Sequence, residues 1–168
     1  LLDKKMMCLE EQRLELASLV EVLQTSDSDV LARVFDAMDG LADPAECADF
    51  RVSEREAEGS PVVFRLRADI AKARSLVRAG RHAQADQLLT ASRDAAEVAN
   101  ATREKVEAIR WLGELEAQRG NAKGAIELLE RAAMAAEVDK VDDVAAAAGL
   151  SLARTYFENL GAPSKAQE

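Results

Sequence analysis

The stretch that decides the fold is Gly80-Arg81-His82-Ala83-Gln84-Ala85, because two similar phrases follow it along the chain. They are Gly120-Asn121-Ala122-Lys123-Gly124-Ala125 and Gly161-Ala162-Pro163-Ser164-Lys165-Ala166, so the leading glycines are 40 and 41 residues apart. In each phrase the glycine is typical of a helix end, and the alanine five residues later suits close packing in the next helix. A constant period of about 20–50 residues indicates a repeat protein. The sequence therefore predicts a helical solenoid, a class that usually binds other proteins.

The similarity between the first two copies extends beyond the turn. Paired leucines, a small residue and an Ala-Ala-Glu triplet recur at the same distances from the glycine. The matching sets are Leu88-Leu89 with Leu128-Leu129, Ser92 with Ala132, and Ala95-Ala96-Glu97 with Ala135-Ala136-Glu137. Three further agreements in one register support a true repeat.

The composition favours an all-α fold for this chain of 168 residues. Helix-forming Ala, Leu, Glu and Arg dominate, aromatic residues make up 4%, and only three prolines occur. No segment alternates apolar and polar residues for long enough to predict a strand. Apolar residues spaced three and four apart predict seven helices. These are predicted at 1–24, 30–39, 62–79, 82–99, 103–119, 122–137 and 141–159.

We divide the chain into an N-terminal helical hairpin (1–50), a charged, mobile linker (51–60) and repeats (61–168). The repeats are predicted at 61–101, 102–140 and 141–168, the last of them truncated. The inward face of the first helix is predicted to carry Leu2, Met6, Leu9, Leu16, Val20 and Leu23. The second helix is predicted to bury Val30, Leu31, Val34, Phe35 and Met38. We expect the chain to be a piece of a longer protein, since it begins with Leu and its last copy stops just after the turn.

The charge of the chain argues against two classes of partner. Its net charge is −9, so clustered Lys and Arg for nucleic acid or an anionic membrane are not expected. No run of about 18 apolar residues predicts a membrane span. We therefore expect an acidic surface, no nucleic-acid partner and no membrane partner for this fragment.

The two cysteines, Cys8 and Cys47, are too few for a disulfide scaffold and lack the spacing of a metal site. We expect a cytoplasmic location, with both thiols reduced and buried as small apolar side chains. An antiparallel hairpin that turns near residue 25 would bring both cysteines to its open end, where they could touch. A redox switch is the alternative.

Residues in the repeats resemble the tetratricopeptide repeat (TPR) superfamily. The resemblance rests on Leu112-Gly113 in one helix, Gly120-Asn121 at the turn, and Ala125, Leu129 and Ala132 in the next helix. The period is similar to the variant of about 40–42 residues in kinesin light chains and bacterial regulators. Lys72 replaces an expected leucine in the first copy, and the third copy has one extra residue. Gly113 is expected to have a packing reason.

The first third of the chain resembles the segment that follows the catalytic domain in bacterial, myxobacterial-type serine/threonine protein kinases. The resemblance covers 8–16, 19–20, 30–37 and 47–49. It implies that this chain is a regulatory or docking region of such a kinase. The chain itself has no His-Arg-Asp, no Asp-Phe-Gly and no glycine-rich phosphate loop.

Catalysis by this chain is not expected. The single histidine, His82, lies in the repeat turn, where packing is the simpler role. No second histidine is present for a metal cluster, and no nucleophile motif occurs. We therefore predict no catalytic residues, no metal and no cofactor.

The TPR resemblance implies that the first helix of each pair lines a concave groove. By position, the groove residues are Arg67, Ile70, Arg74, Val77, Arg78, Glu107, Arg110, Glu114 and Gln118, with Ser151 and Thr155 from the third copy. Arg67, Arg74 and Arg78 share one helix face, so they form a candidate dock for an acidic or phosphorylated segment. A solvated helix face is the alternative reading. The parent kinase domain is another candidate partner.

The seventh helix is predicted to lack a paired helix, so its apolar face should support a homodimer through the C-terminal helix. Two other functions stay open. The chain could be an adaptor or sensor in a transcriptional or signalling regulator, or a structural oligomerisation element with the first helix as a coiled-coil seam.

Overall fold

The structure is a computed structural model that describes residues 2–24, 38, 41, 44–45, 47 and 60–161. The described residues form α1 (Leu2–Gln24), α2 (Pro61–Arg78), α3 (His82–Val98), α4 (Thr102–Gln118), α5 (Ala122–Val138) and α6 (Asp142–Gly161). Over these residues the all-α prediction is confirmed, and the six corresponding helices begin and end close to their predicted bounds. The predicted helix at 30–39 apart from Met38, linker residues 51–59 and the end of the third phrase at 162–166 lie outside the described residues. The prediction that Met38 is buried is wrong, because its side chain is 51% exposed.

The turns between the helices show why the repeat phrase begins with glycine. Gly80 and Gly120 have φ values of 75° and 77°, a left-handed conformation that glycine adopts without a Cβ clash. At the first turn the Gly80 N–H donates to the Val77 carbonyl and the Arg81 N–H to the Leu76 carbonyl. These two bonds close the helix end in a Schellman motif. The intervening turns use Asn100 and Lys140 in the same way, with φ values of 52° and 56°.

Helix α2 begins at a serine cap followed by proline. The Ser60 side chain accepts a hydrogen bond from the Val63 N–H, and Pro61 occupies the first helical position. Serine satisfies one of the donors that a helix start leaves open, and proline has no N–H to leave unpaired there. The start of the repeat region is therefore fixed locally.

The chain divides into two compact units, Leu1–Leu88 and Leu89–Glu168, with the boundary inside α3. In the first unit α1 packs against α2. In the second, α5 packs against both α4 and α6, and α6 also contacts α4. Such sequential packing of helix neighbours is what the solenoid prediction requires of this unit. The predicted division at 50, 60, 101 and 140 stays a prediction.

The core of the second unit is built from small and branched side chains. A cluster of Val106, Ile109, Ala132, Ala136, Val144 and Ala148 lies at the junction of its three helices. Gly113 lets α5 approach closely: a Cβ there would stand 2.7 Å from the Leu129 Cγ. The expected packing reason for Gly113 is confirmed.

The predicted inward face of α1 is wrong. Met6, Leu9, Leu16 and Val20 are 58%, 41%, 51% and 44% exposed. Among the α1 side chains that the structure describes, the buried ones are Glu15, Leu19 and Val22. The physical reason is that charged contacts from Glu15 to α2 set the rotation of the helix, so the face that carries this glutamate turns inward.

The prediction of reduced thiols is also wrong. Cys8 and Cys47 are joined by a disulfide, with their Cα atoms 5.7 Å apart. That separation lies within the range that a disulfide requires. The expectation that the two cysteines could touch is therefore confirmed, and reduced cysteines no longer support a cytoplasmic location.

Candidate protein-interaction surface

Two of the predicted groove arginines converge on one carboxylate in the first unit. Arg74 and Arg78 lie one turn apart on α2, so both side chains project from the same face. The Arg78 Nη1 stands 2.8 Å from the Glu15 Oε1, and the Arg74 Nη2 contacts the Glu15 Oε2. We call these three residues the Glu15 clamp. It joins α1 to α2 by one acidic group held between two guanidinium groups.

The clamp is largely withdrawn from solvent. The Glu15 side chain is 5% exposed, and those of Arg74 and Arg78 are 25% and 22% exposed. At the edge of the same junction, the Lys72 Nζ stands 2.6 Å from an Oε of the exposed Glu21. Where water is excluded the Coulombic attraction of an ion pair is larger, although desolvation offsets it, and losing one partner leaves the other charge uncompensated. The junction therefore recognises a negative charge at the position of Glu15.

The remaining predicted residues of the first unit lie elsewhere. Ile70 and Val77 are 4% and 0% exposed, so they belong to the buried side of α2. Arg67 is half-buried on the same helix. The structure thus brings Arg74 and Arg78 together, places Glu15 between them, and does not present Ile70 or Val77 at the surface.

The second unit contains a polar cluster between α4 and α6. Glu114 is 7% exposed and accepts hydrogen bonds from the Ser151 hydroxyl and the Arg154 guanidinium of α6. The Arg110 Nη1 lies 3.9 Å from the same carboxylate. We define the Glu114 cluster by six residues, Glu107, Arg110, Trp111, Glu114, Ser151 and Arg154. It joins α4 to α6 through charged and polar side chains.

Arg110 is held by three groups within this cluster. Besides Glu114, it pairs with Glu107 at 2.9 Å, and its Cζ lies 4.5 Å from the centre of the Trp111 ring. The Trp111 Nε1 donates to the Glu107 Oε1 at 3.0 Å. A guanidinium over an indole face gains cation–π attraction in addition to its ion pairs. The predicted residues Glu107, Arg110 and Glu114 are therefore brought together on one helix face.

Other predicted residues surround this cluster. Gln118 is exposed at the end of α4. Ser151 belongs to the cluster, and the Thr155 hydroxyl donates to the Ser151 carbonyl. Sequence reasoning missed Trp111, Arg154 and, in the first unit, Glu15. A signal for Arg154 existed, because it lies 40 residues after Glu114 and carries the opposite charge at the same repeat position.

A second ion pair joins α4 and α6 near their first turns. The Arg103 guanidinium donates to both carboxylate oxygens of Asp143, at 2.9 and 2.5 Å. Burial alone would raise the pKa of this carboxyl, but the Arg103 hydrogen bond and charge, together with backbone N–H groups, outweigh it. The net effect lowers the pKa of Asp143 below its ordinary value of 3.8.

The described residues bear on two other expectations. Within this part of the chain, no group of three or more His, Cys, Asp or Glu side chains could hold a metal ion. Among the same residues, every helix is too short or too polar to cross a membrane.

Comparisons with known proteins identify no relative. No protein-family model, curated protein or solved structure matches the chain.

Proposed function

We infer that this chain is a regulatory protein-interaction module that binds a peptide or protein segment along the first helices of its TPR-like pairs. The observation that carries the proposal is the Glu114 cluster. In it, charged side chains from two successive first helices, α4 and α6, meet on one face of the second unit. Rows of first helices with mixed charge form the binding face of helical repeat proteins.

The proposal extends to the context of the module. The resemblance of the first third of the chain supports a docking or restraining region of a bacterial serine/threonine protein kinase, which recruits a substrate or holds the kinase domain. An adaptor or sensor in a transcriptional or signalling regulator is the alternative. Sequencing the reading frame upstream of Leu1 distinguishes them: a kinase domain with His-Arg-Asp and Asp-Phe-Gly supports the first, and any other domain overturns it.

A cytoplasmic location is part of the same proposal. The Cys8–Cys47 disulfide favours an oxidising compartment instead. Thiol labelling in intact cells decides between them: labelled cysteines support the cytoplasm, and cysteines that label only after reduction overturn it.

Binding is tested with the full chain on an array of acidic, phosphorylated, basic and neutral synthetic peptides. We expect a selected class of peptide to bind, and the variants Glu107→Gln and Gln118→Lys on α4 to change that binding several-fold. Both changes make α4 more positive, so they should weaken a basic peptide and strengthen an acidic or phosphorylated one. Glu127→Gln on α5 is the matched control, because its side chain is 67% exposed on a second helix. Loss of binding in the control alone, or no binding by any class, would overturn the proposal.

A structural oligomerisation element is the third candidate. One observation favours it: Leu150 and Phe157, seven residues apart on α6, are 75% and 79% exposed. Residues seven apart share a helix face, so the two side chains form an apolar stripe. We propose that α6 supports a homodimer.

A further inference from the structure

The contact between α1 and α2 resembles that between a bound ligand and its site. A single glutamate, Glu15, is received by two arginines from adjacent turns of α2. Leu19 and Val22, four and seven residues after Glu15, are each 3% exposed and lie on the same face of α1. Among the α1 side chains that the structure describes, the buried ones are therefore one carboxylate and two apolar groups at helical spacing.

The contact uses little of the apolar surface that α1 carries. Met6, Leu9, Leu16 and Val20 remain substantially exposed while α1 is docked. A helix that served only as part of the core would be expected to turn its largest apolar stripe inward. The orientation of α1 instead follows from the charge of Glu15, which is the specific feature of the contact.

From this arrangement, we propose that the α2 face around Arg74 and Arg78 is a docking site for an amphipathic helix of a partner protein. The helix that it takes carries a carboxylate followed by apolar residues four and seven positions later, and α1 occupies the site in cis. Because α1 and the incoming helix compete for the same arginines, α1 acts as a built-in competitor. The inference rests on the proposed interaction function and names the ligand class and the regulation of the groove in the first unit.

Charge supports this class of partner. In a chain of net charge −9, Arg74 and Arg78 concentrate positive charge on two adjacent turns. Paired guanidinium groups bind carboxylates with strong, directional hydrogen bonds. If α1 blocks the site in most molecules, the apparent affinity for an external helix is the intrinsic affinity multiplied by the fraction of molecules with an open site. Release of α1 should therefore raise the affinity for an external helix without any change in the site itself.

The test uses the full chain and a fluorescein-labelled synthetic peptide of residues 2–24 that carries Cys8→Ser. Fluorescence anisotropy measures its binding to the wild-type chain, to Glu15→Lys and to Glu10→Lys. We expect Glu15→Lys to bind the peptide roughly tenfold more tightly than wild type, because α1 no longer blocks the site. Glu10→Lys is the matched control: it makes the same charge change on α1, where Glu10 pairs with Arg13 of its own helix. It should bind like wild type.

A charge swap keeps the test informative if Glu15→Lys disturbs folding. The chain with Arg74→Glu and Arg78→Glu should lose the wild-type peptide and bind a peptide with Glu15→Lys. Equal binding of the wild-type peptide by the wild-type, Glu15→Lys and Glu10→Lys chains would overturn the proposal. Unchanged binding of that peptide by the chain with Arg74→Glu and Arg78→Glu would overturn it as well. The peptide array tests α4 separately. If α4 binds no array peptide while the α2 site still binds its helix, only the proposed function of the second unit is rejected.

Discussion

The first two copies of the repeat differ at one buried position. Ser92 and Ala132 occupy the same repeat position and are 3% and 0% exposed. In the described part of the chain, the Ser92 hydroxyl is buried without a hydrogen-bond partner. Burying an unpaired hydroxyl is unfavourable, so one copy of the repeat keeps a polar group where the other has a better-suited methyl.

We therefore expect Ser92→Ala to stabilise the protein by about 1 kcal/mol. Urea unfolding followed by circular dichroism measures the free energy of unfolding. Ser75→Ala is the control, because the equally buried Ser75 hydroxyl already donates to the Ala71 carbonyl. The control should be neutral or slightly destabilising, and stabilisation by both changes would contradict the argument.

Two glycines within helices provide a matched pair. A Cβ at Gly113 would meet Leu129 at 2.7 Å, whereas nothing lies within 4 Å of a Cβ at Gly149. We expect Gly113→Ala to destabilise the second unit by about 1–3 kcal/mol, because α5 must move away. Gly149→Ala should stabilise it by up to about 1 kcal/mol through helix propensity. Thermal and urea unfolding of both variants checks the sign, and a stabilising Gly113→Ala would contradict the close approach.

At the scale of helices, the stability of the contact between α4 and α6 depends on pH. The pKa of Asp143 is lowered in the folded state, so its contribution to stability is present above the ordinary value of 3.8. That contribution is lost as the pH falls through the still lower folded-state pKa. Its size is modest, because the Asp143 side chain is 61% exposed and such pairs contribute up to about 1 kcal/mol.

The expected result is that Asp143→Asn is less stable than wild type at neutral pH and equal to it in strong acid. Asp142→Asn is the control, since it removes the same charge from the same helix start. Unfolding free energies measured across this pH range test the claim. A difference between wild type and Asp143→Asn that persists unchanged into acid would contradict it.

The helices of the repeat region were predictable because their ends are set locally. Gly80 and Gly120 take a left-handed conformation, and Ser60 with Pro61 caps the start of α2, all within a few residues of the helix ends. The face of α1 was not predictable, because the residues that orient it lie far away in sequence. The bond from Arg78 to Glu15 spans 63 residues. In the candidate site, Arg110 and Glu114 were predictable from repeat position, whereas Glu15 carried no local signal.

At the scale of the whole molecule, the exposed stripe on α6 predicts concentration-dependent self-association. Leu150 and Phe157 present apolar surface on one helix face, and exposed apolar patches mark interaction sites. Sedimentation velocity over a wide range of protein concentration should show a dimer. Leu150→Lys with Phe157→Glu should keep the chain monomeric at every concentration.

A matched control for that experiment is Val98→Lys, because Val98 is 86% exposed at the end of α3 and lies outside the stripe. It should leave the dimer unchanged. If the wild-type chain stays monomeric at every concentration, or if the dimer persists with both substitutions on α6, this helix is not the dimer contact.

The Cys8–Cys47 disulfide turns part of the chain into a covalent ring, closed across a sequence separation of 39. A protease that cuts once inside the ring opens it but releases nothing. The two polypeptides stay joined, and their combined mass rises by one water. On a gel without reductant, the cut chain still migrates as a single species, and the α1 fragment separates only when a thiol is added. A nick in the ring therefore leaves α1 tethered to the molecule whose arginines it occupies.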